Sequence, residues 1–273
     1  MPAQTTLARP VTHASVGLHS GVRCAVTLCP SEPGTGLWLR TGGVEIPVHP
    51  DYLVASERCT ALGRGPARVL TVEHLLAALT ALGVDNARIE VVGPEIPGGD
   101  GSARRFCEMI SRAGVRRLGQ RRPVRRVPGP IWVSGEESWV LALPGTGRRV
   151  TVVVDFGDRL VGRQYGTFRV TPERFRDELA PARTFVFEKD IDSLRAAGLG
   201  AGATTRNVLV IGESRYRSRP RFVDEVVRHK AVDLIGDLAL AGGLPEGHVI
   251  AVRSGHRLHQ EFARRLAARE ARR

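Results

Sequence analysis

Residues 71–91, TVEHLLAALTALGVDNARIEV, predict a helix followed by a short turn and a strand. The leucines of this stretch recur at the helical spacing i, i+4 and i+7, so they share one apolar face. Thr71 is a candidate N-cap for the helix, and Gly83 is a candidate for its end. The composition of 87–92 then favours a strand. The stretch therefore predicts one helix and strand unit of a mixed fold.

A second stretch, VRHKAVDLIGDLALAG at 227–242, repeats the pattern of the first. In both stretches a histidine stands near the start of an apolar helix that a glycine closes. Two similar α+β halves that face each other would bring the two histidines together. Between the halves, the arginines and three prolines of 120–130 are typical of a linker. We therefore expect an N-terminal domain at 1–122 and a C-terminal domain at 123–273.

The remaining segments also alternate between strand and helix patterns. Before residue 70, short apolar runs between Gly and Pro turns predict strands and hairpins. After residue 92, the predicted elements are a helix at Ser102–Ala113 capped by Ser102, strands at Ile131–Leu143 and Val150–Phe156, a helix near Pro172–Leu179, a long helix at about Arg221–Ala241 and a C-terminal helix opened by Ser254–His256. The fold class that follows is α+β.

The formal net charge of +12 on 273 residues suggests nucleic acid as one class of partner. Basic residues crowd 104–126 and 264–273, but aromatic residues do not alternate with them, as single-strand binding would require. Lys189 and Lys230 are the only lysines, so an arginine-rich genome explains the charge better than a ligand does. We expect no nucleic-acid partner.

The spacing of the cysteines and the length of the apolar runs predict the cellular compartment of the protein and the kind of metal site that it could have. No segment of the sequence has an apolar run long enough for a signal peptide or a membrane span. The cysteines have no CxxC spacing, so neither a disulfide scaffold nor a thiolate metal site is predicted. We expect a cytoplasmic protein without an integral membrane segment, in which imidazole and carboxylate groups would bind any metal.

The predicted long helix carries His229, Asp233 and Asp237 four residues apart, on a line separate from its apolar residues. Side chains at i and i+4 lie about one turn apart, so an imidazole and a carboxylate could share one cation. A solvated helix face would explain the same spacing. The dipeptide Glu73-His74 favours the metal, because zinc hydrolases need three protein ligands and a separate carboxylate as base. By itself, Glu73 could also be an acidic residue that stabilises a helix N-terminus.

His256 opens the C-terminal helix, where a histidine can act as a general acid if a carboxylate such as Asp237 stabilises its imidazolium. The alternative for His256 is an ordinary surface imidazole, and we expect His248 and His259 to be surface residues. Lys230 stands beside a predicted metal ligand in a chain that otherwise uses arginine. We expect its compact ammonium to meet a phosphate or a sugar oxygen.

Six ordered motifs make the chain resemble a known family over nearly its whole length. They are TLARPVTHASVGLHSG, TVEHLLAALTALGVDNARIEV, GPEIPGGDGSA, PARTFVFEKDI, RHKAVDLIGDLAL and RSGHRLH. The family that they resemble is the UDP-3-O-acyl-N-acetylglucosamine deacetylases, the LpxC family of lipid A biosynthesis. The resemblance implies a zinc-dependent deacetylase with two similar α+β domains, each a sheet with paired helices. The domains would be stacked so that the active site lies between the helix layers.

The resemblance also implies a role for each candidate site residue. The zinc ligands would be His74, His229 and Asp233, the general base Glu73, the general acid His256 with Asp237 as its orienting partner, the oxyanion donor Thr184, the sugar neighbour Phe185, the nucleotide contacts Lys230 and Phe156, and the contact near the acyl-bearing region Asp190. Either His256 or protonated Glu73 would protonate the leaving amine. The cofactor would be Zn²⁺ and the substrate an acylated UDP-sugar, and we expect a monomer.

An insert at about 185–212, near the passage for the acyl chain, departs from the family pattern. Glu188, Gly200 and Thr205 stand where apolar residues are expected. An unpaired carboxylate in an apolar lining is costly. We therefore expect Glu188 to turn outward, to pair with a cation such as Lys189 or Arg183, or to face a wet passage. Such a passage predicts weak discrimination for a long chain.

Three alternatives stay open at this point. The substrate could be a related N-acetylated sugar without the long acyl chain. The second alternative is a basic nucleic-acid-binding protein that retains the fold, and the intact set of candidate ligands argues against it. For the passage itself, Phe187, Ile191 and Leu199 could complete an apolar tunnel.

Overall fold

The computed structural model describes residues 3–157 and 159–270. Its strands are β1 (Ala3–Leu7), β2 (Val11–Val16), β3 (Arg23–Pro30), β4 (Leu37–Thr41), β5 (Val44–Pro47), β6 (Leu53–Val54), β7 (Ala61–Arg64), β8 (Ala67–Val69), β9 (Ala87–Val92), β10 (Val115–Arg121), β11 (Ile131–Ser134), β12 (Trp139–Leu143), β13 (Arg148–Asp155), β14 (Arg163–Arg169), β15 (Phe185–Phe187), β16 (Leu209–Ile211) and β17 (Gly247–Val252). Its helices are α1 (Glu73–Ala81), α2 (Arg104–Ala113), α3 (Pro172–Arg174, continued by a π-helical turn at Phe175–Leu179), α4 (Ile191–Ala196), α5 (Glu225–Leu238) and α6 (His256–Glu270).

Two five-stranded sheets of the molecule have the same strand order. The first sheet runs β2-β3-β9-β4-β5, and the second runs β11-β12-β17-β13-β14. In each, the middle strand follows a helix of the site, α1 or α5, and is parallel to one neighbour and antiparallel to the other. The chain therefore contains two similar α+β halves, which confirms the predicted fold class.

Helices cover one face of each sheet and meet between the halves. α1 and α2 lie together in the first half, whereas α5 and α6 pack against strands of the second sheet. α1 packs closely against α5. A Cβ atom on Gly236 would come within 2.1 Å of the Glu73 carbonyl oxygen, so the approach of the two backbones requires glycine. The contact brings the start of α1 against the middle of α5, between the helix layers.

The start of α1 differs from the prediction, because Thr71 does not cap the helix. Thr71 has a φ of 57°, and its hydroxyl donates a hydrogen bond to Glu95 Oε1 (2.8 Å). A left-handed conformation is unusual for a β-branched residue, and the buried Glu95 carboxylate holds it. The helix begins at Glu73 instead. Gly83, with a φ of 73°, follows the end of the helix as predicted.

Other boundaries also differ from the sequence pattern. The apolar segment 131–143 is a hairpin of β11 and β12 rather than one strand. β10 extends to Arg121, into the predicted linker, because it pairs with β1. α2 begins at Arg104, whose backbone N–H donates to the Ser102 hydroxyl (3.3 Å). The sequence patterns do not predict β14, because its residues, RQYGTFR, contain no run of apolar side chains.

The insert is hydrogen-bonded to the first half of the molecule. Its strands β15 and β16 pair in parallel, and α4 lies between them in sequence. The Ala201 and Gly202 N–H groups donate to the carbonyl oxygens of His19 and Leu18 (3.1 Å each). These bonds dock the insert on a loop of the first half. No helix within the described ranges has the length and apolar character that crossing a membrane requires.

Candidate active site

His74, His229 and Asp233 converge between α1 and α5, and all three are buried. Asp233 Oδ1 lies 3.3 Å from His229 Nε2 and 3.6 Å from His74 Nε2. This carboxylate oxygen is buried, yet it makes no hydrogen bond within the described residues. Two imidazole nitrogens and one carboxylate oxygen are a donor set that zinc takes in hydrolases. The three residues could therefore hold a metal ion.

The ring of His229 is oriented by a backbone carbonyl. Its Nδ1–H donates to the Ala182 carbonyl oxygen (3.1 Å), so that Nε2 faces Asp233. Burial lowers the pKa of His229 to about 4, so the ring is neutral near pH 7, as a metal ligand must be. Next to Ala182, the buried side chains of Arg183 and Glu225 form an ion pair, with 2.9 Å between Nε and Oε1. This pair ties the segment that orients His229 to the start of α5.

Glu73 is the first residue of α1 and lies buried beside the candidate ligands. Its Oε2 accepts a hydrogen bond from the Thr60 backbone N–H (2.9 Å). Burial raises the pKa of Glu73 above its usual value, although His256 and His74 oppose the shift. A carboxyl group with a raised pKa can accept a proton and return it near neutral pH. The position and the pKa both suit a general base.

Asp237 is the centre of a buried hydrogen-bonded cluster. Its Oδ2 accepts from Nδ1 of His256 (2.8 Å) and from Nδ1 of His259 (2.9 Å), and its Oδ1 accepts from the Thr60 hydroxyl (2.5 Å). Burial disfavours the imidazolium of His256, but the Asp237 carboxylate outweighs burial and raises the pKa of His256 to about 9. His256 is therefore protonated near pH 7. Its Nε2 lies 3.9 Å from Asp233 Oδ2, on the side of the candidate ligands.

The prediction that His259 is a surface residue is wrong. His259 is 1% exposed, and its Nε2 pairs with the Ser254 hydroxyl (2.8 Å) while its Nδ1 binds Asp237. His256 and His259 are three residues apart on α6, so their rings share one face and reach the same carboxylate. His248 is half-buried on β17, where its Nε2 contacts the Thr151 hydroxyl (2.7 Å).

A cavity of about 1120 Å³ opens onto the candidate ligands. Thr184, Phe185 and Lys230 line it together with the ligands, Glu73 and His256. The Lys230 ammonium donates to Asp233 Oδ2 (3.0 Å), so it neutralises the second oxygen of that carboxylate. Lys230 and Phe185 therefore line the same cavity as the candidate metal ligands.

Phe156 and Asp190 lie outside the cavity lining within the described residues. Phe156 packs edge-to-face against Phe185 (5.8 Å between ring centroids) and Phe187 (5.0 Å). Asp190 ends a short 3₁₀ turn between β15 and α4 and is half-exposed. In this conformation, therefore, Phe156 supports the ring of Phe185 instead of facing the cavity.

The insert and a loop of the first half contribute a set of apolar side chains to the cavity lining, and we call this set the apolar arm. These are Leu18, Val186, Ile191, Leu194, Leu199, Val208 and Val210. Glu188, Gly200 and Thr205 line the same cavity. Glu188 forms an ion pair with Arg217 (2.8 Å), which is neither of the two cations expected. Arg183, one of the two cations suggested as a partner, is instead buried with Glu225.

Sequence reasoning misses Thr60 and the network around Glu95. Thr60 is fully buried and contacts both Glu73 and Asp237, yet no pattern in the sequence marks it. Glu95 accepts from the backbone N–H groups of His19 (3.0 Å) and Ser20 (2.8 Å), besides Thr71. His19 lines the cavity. His19 and Glu95 do lie in two of the quoted motifs, which is the signal that could have marked them.

A family model and several known proteins match nearly the whole chain. The family model for UDP-3-O-acyl N-acetylglycosamine deacetylase, LpxC, matches residues 4–268. The UDP-3-O-acyl-N-acetylglucosamine deacetylase of Brucella melitensis biotype 2 (strain ATCC 23457) is 40% identical over 274 residues, which cover 98% of this chain and 96% of that protein. Proteins of the same name from Brucella ovis and from Brucella abortus (strain S19) match with the same identity and coverage. All the site residues described above fall within the matched range.

Proposed function

The chain belongs to the UDP-3-O-acyl N-acetylglycosamine deacetylase family, and on that premise we propose that it hydrolyses the N-acetyl group of UDP-3-O-acyl-N-acetylglucosamine in lipid A biosynthesis. The products are acetate and the free amine of the acylated nucleotide sugar. The observation that carries the proposal is the convergence of His74, His229 and Asp233 beside the buried Glu73.

The metal in this proposal is zinc, held by His74, His229 and Asp233. The fit rests on the donor set and on Asp233 Oδ1, a buried oxygen that has no hydrogen bond but faces two imidazole nitrogens. Such an oxygen is costly to bury unless a cation compensates it. When bound, zinc would lower the pKa of a water molecule and polarise the acetyl carbonyl. Three protein ligands are the number typical of catalytic zinc sites.

Glu73 takes the proton of the attacking water in this mechanism. The Thr60 N–H holds one of its carboxylate oxygens and so fixes the orientation of the group. As the water oxygen bonds to the acetyl carbon, one proton passes to Glu73. The Thr184 hydroxyl, which lines the cavity, would donate a hydrogen bond to the oxyanion that develops on the carbonyl oxygen.

The bond between the acetyl carbon and the nitrogen breaks when the amine leaves with a proton. His256 can supply this proton, because its imidazolium is the main form near pH 7 and Asp237 holds its Nδ1. Glu73, protonated in the previous step, is the second available donor. In either case the free amine and acetate are released and one proton remains to be exchanged with solvent.

The lining of the cavity favours an acylated sugar as the substrate over a sugar without the acyl chain. Its apolar arm offers a lining for a fatty acyl group, with Leu194 and Leu199 among its side chains. We assign Phe185 to the sugar, Lys230 and Phe156 to the nucleotide, and Asp190 to the acyl-bearing region. The Phe156 assignment requires that its ring leave the present contact with Phe185 when the nucleotide binds.

A substrate comparison tests the proposal. Zinc-loaded protein should release acetate from UDP-3-O-acyl-N-acetylglucosamine with a kcat/KM at least about 10²-fold above that for UDP-N-acetylglucosamine, because the apolar arm stabilises the chain. Equal values for the two substrates would favour a sugar without the acyl chain. Failure to release acetate from either would contradict the proposal.

A further inference from the structure

The second sheet has an outer face, the side opposite α5 and α6, on which apolar side chains stand in rows. The strand register puts Trp139, Val252, Val153 and Tyr165 side by side across four strands. The next row contains Trp132, Leu141 and Ile250, followed by Thr151 and Thr167. We call these two rows the aromatic face. Neighbours in a row are the cross-strand pairs that contact each other on a sheet.

The aromatic face is open to solvent. Trp132 is 58% exposed, Trp139 38% and Tyr165 78%, and the aliphatic side chains between them are half-exposed. The alternate residues of the same strands, such as Val140 and Ala251, point to the helices and are fully buried. Soluble monomers rarely expose a contiguous patch of this kind unless it binds something.

Arginines border the aromatic face at one end. The register places His248, Arg149 and Arg169 in the row beyond Thr151. Both arginines are exposed, and neither forms an ion pair within the part of the chain that the structure describes. Their charge is therefore available to an anionic partner, in a protein whose formal net charge is +12.

The first sheet shows that the fold does not require these side chains. It has the same strand order, and its own outer face carries a row of Thr12, Thr27, Glu90, Arg40 and Glu45. This row is polar and mixed in charge, as the solvent face of a sheet usually is. Elsewhere the strands of this outer face carry one aromatic residue, Trp38, and two exposed valines, Val16 and Val92. A row with exposed tryptophan and tyrosine rings is thus a feature of the second sheet.

We propose that the aromatic face docks on the surface of an anionic lipid bilayer. Tryptophan and tyrosine rings have an apolar body and a polar edge, and they are enriched where proteins meet the membrane and water. Arginines beside an anionic surface add electrostatic attraction. The combination of exposed indole rings with arginines that form no ion pair in the described residues, all on one side of the sheet, matches this partner in both chemistry and charge. The inference does not depend on the proposed function.

Vesicle sedimentation of the full chain tests the docking surface. Vesicles of phosphatidylcholine with one quarter phosphatidylglycerol should bind the protein, and vesicles of phosphatidylcholine alone should bind it far less. Arg149→Gln combined with Arg169→Gln should lower the partition coefficient by roughly 30-fold, at about fivefold for each arginine. The matched control, Arg23→Gln with Arg40→Gln, removes the same charge from the outer face of the first sheet and should have little effect.

A second pair of variants tests the apolar part. Trp132→Ser with Tyr165→Ser should reduce partitioning by about tenfold or more, whereas Val16→Ser with Val92→Ser, on the first sheet, should leave it nearly unchanged. Thermal unfolding of each variant checks that the fold is intact.

Fluorescence gives an independent readout that does not require a loss of binding. Of the three tryptophans, two lie on the aromatic face, and Trp38→Phe removes the other. Emission of this variant should shift to shorter wavelength with anionic vesicles and be quenched by brominated acyl chains. No shift and no sedimentation would overturn the proposal. Equal losses of vesicle binding in the variants of both sheets would overturn it as well. Self-association of the protein without lipid would also overturn it, if Trp132→Ser with Tyr165→Ser abolished that self-association.

Discussion

The two halves of the molecule have the same strand order but different chemistry at equivalent positions. Four and eight residues after its histidine, the first half has Ala78 and Leu82, whereas the second half has Asp233 and Asp237. Ala78 is fully buried in the apolar core. The comparison teaches that the similar backbones of the two halves bring two histidines together. The candidate site forms there because α5 also provides two carboxylates.

The two carboxylates differ in how their burial is compensated. Asp237 is fully buried and receives hydrogen bonds from His256, His259 and Thr60. Asp233 has one oxygen bound by Lys230 and one with no hydrogen bond in the described part of the chain. We therefore propose an orienting role for Asp237 and a metal-binding role for Asp233, and the variants Asp233→Ala and His256→Gln below test these two roles.

The largest effect is expected for Asp233→Ala, which gives α5 the residue that α1 has at the equivalent position. Zinc content should fall to near zero, and deacetylation should fall by roughly 10³-fold or more, because two histidines alone form a poor site. Metal analysis and acetate release on the same sample measure both. Asp224→Ala, just before α5, is the matched control and should keep its zinc. Full zinc occupancy in Asp233→Ala would remove this residue from the ligand set.

The next largest effect is a loss of stability, which we compare between a buried ion pair next to the site and an exposed ion pair of the insert. Glu225→Gln leaves Arg183 buried without its partner and should lower the free energy of unfolding by about 3–5 kcal/mol. Glu188→Gln breaks the exposed pair with Arg217 and should change it by about 1 kcal/mol or less. Urea unfolding curves measure both values. Similar values for the two variants would mean that the buried pair has no special role.

His256→Gln tests the charged partner of Asp237. The pKa of His256 is raised to about 9, so the imidazolium is present below that pH and is lost as the pH rises through it. Wild-type activity should therefore decline above about pH 9. The variant should lose about 10²-fold in kcat and should lack this decline. A uniform loss with the same basic limb would reassign His256 to electrostatic support.

The smallest effect is expected in the apolar arm, where Glu188, Gly200 and Thr205 join the apolar lining. A fully apolar lining would favour each added methylene by about 0.8 kcal/mol, and this mixed lining should give a shallower dependence. Values of kcat/KM across substrates that differ only in acyl length measure the slope. A steep and sharply peaked preference for one long chain would show that the polar residues do not face the acyl group.

Sequence patterns predict the elements that have a local cause. α1, β9 and α5 follow from apolar periodicity, and the two similar halves follow from the repeated histidine and glycine pattern. The start of α1 escapes prediction because a distant carboxylate, Glu95, holds Thr71 in a left-handed conformation. The division at residue 122 stays a prediction.

Within the site, residues that share a helix are predictable and those joined across the fold are not. His229 and Asp233 are one turn apart on α5, so spacing marks them. Thr60 meets Asp237 across 177 residues of sequence, and no local pattern carries that information. His259 could have been found, because it shares a helix face with His256.

Glu73→Gln tests the central claim most directly, since this side chain from the first half should act on a metal held mainly by the second. Zinc content, unfolding temperature and acetate release are measured on one preparation of the variant. The account predicts stoichiometric zinc, a native fold and a turnover reduced by about 10²-fold or more. Near-normal turnover at full zinc occupancy, or loss of zinc together with turnover, would contradict the assignment of Glu73 as a base that is not a ligand.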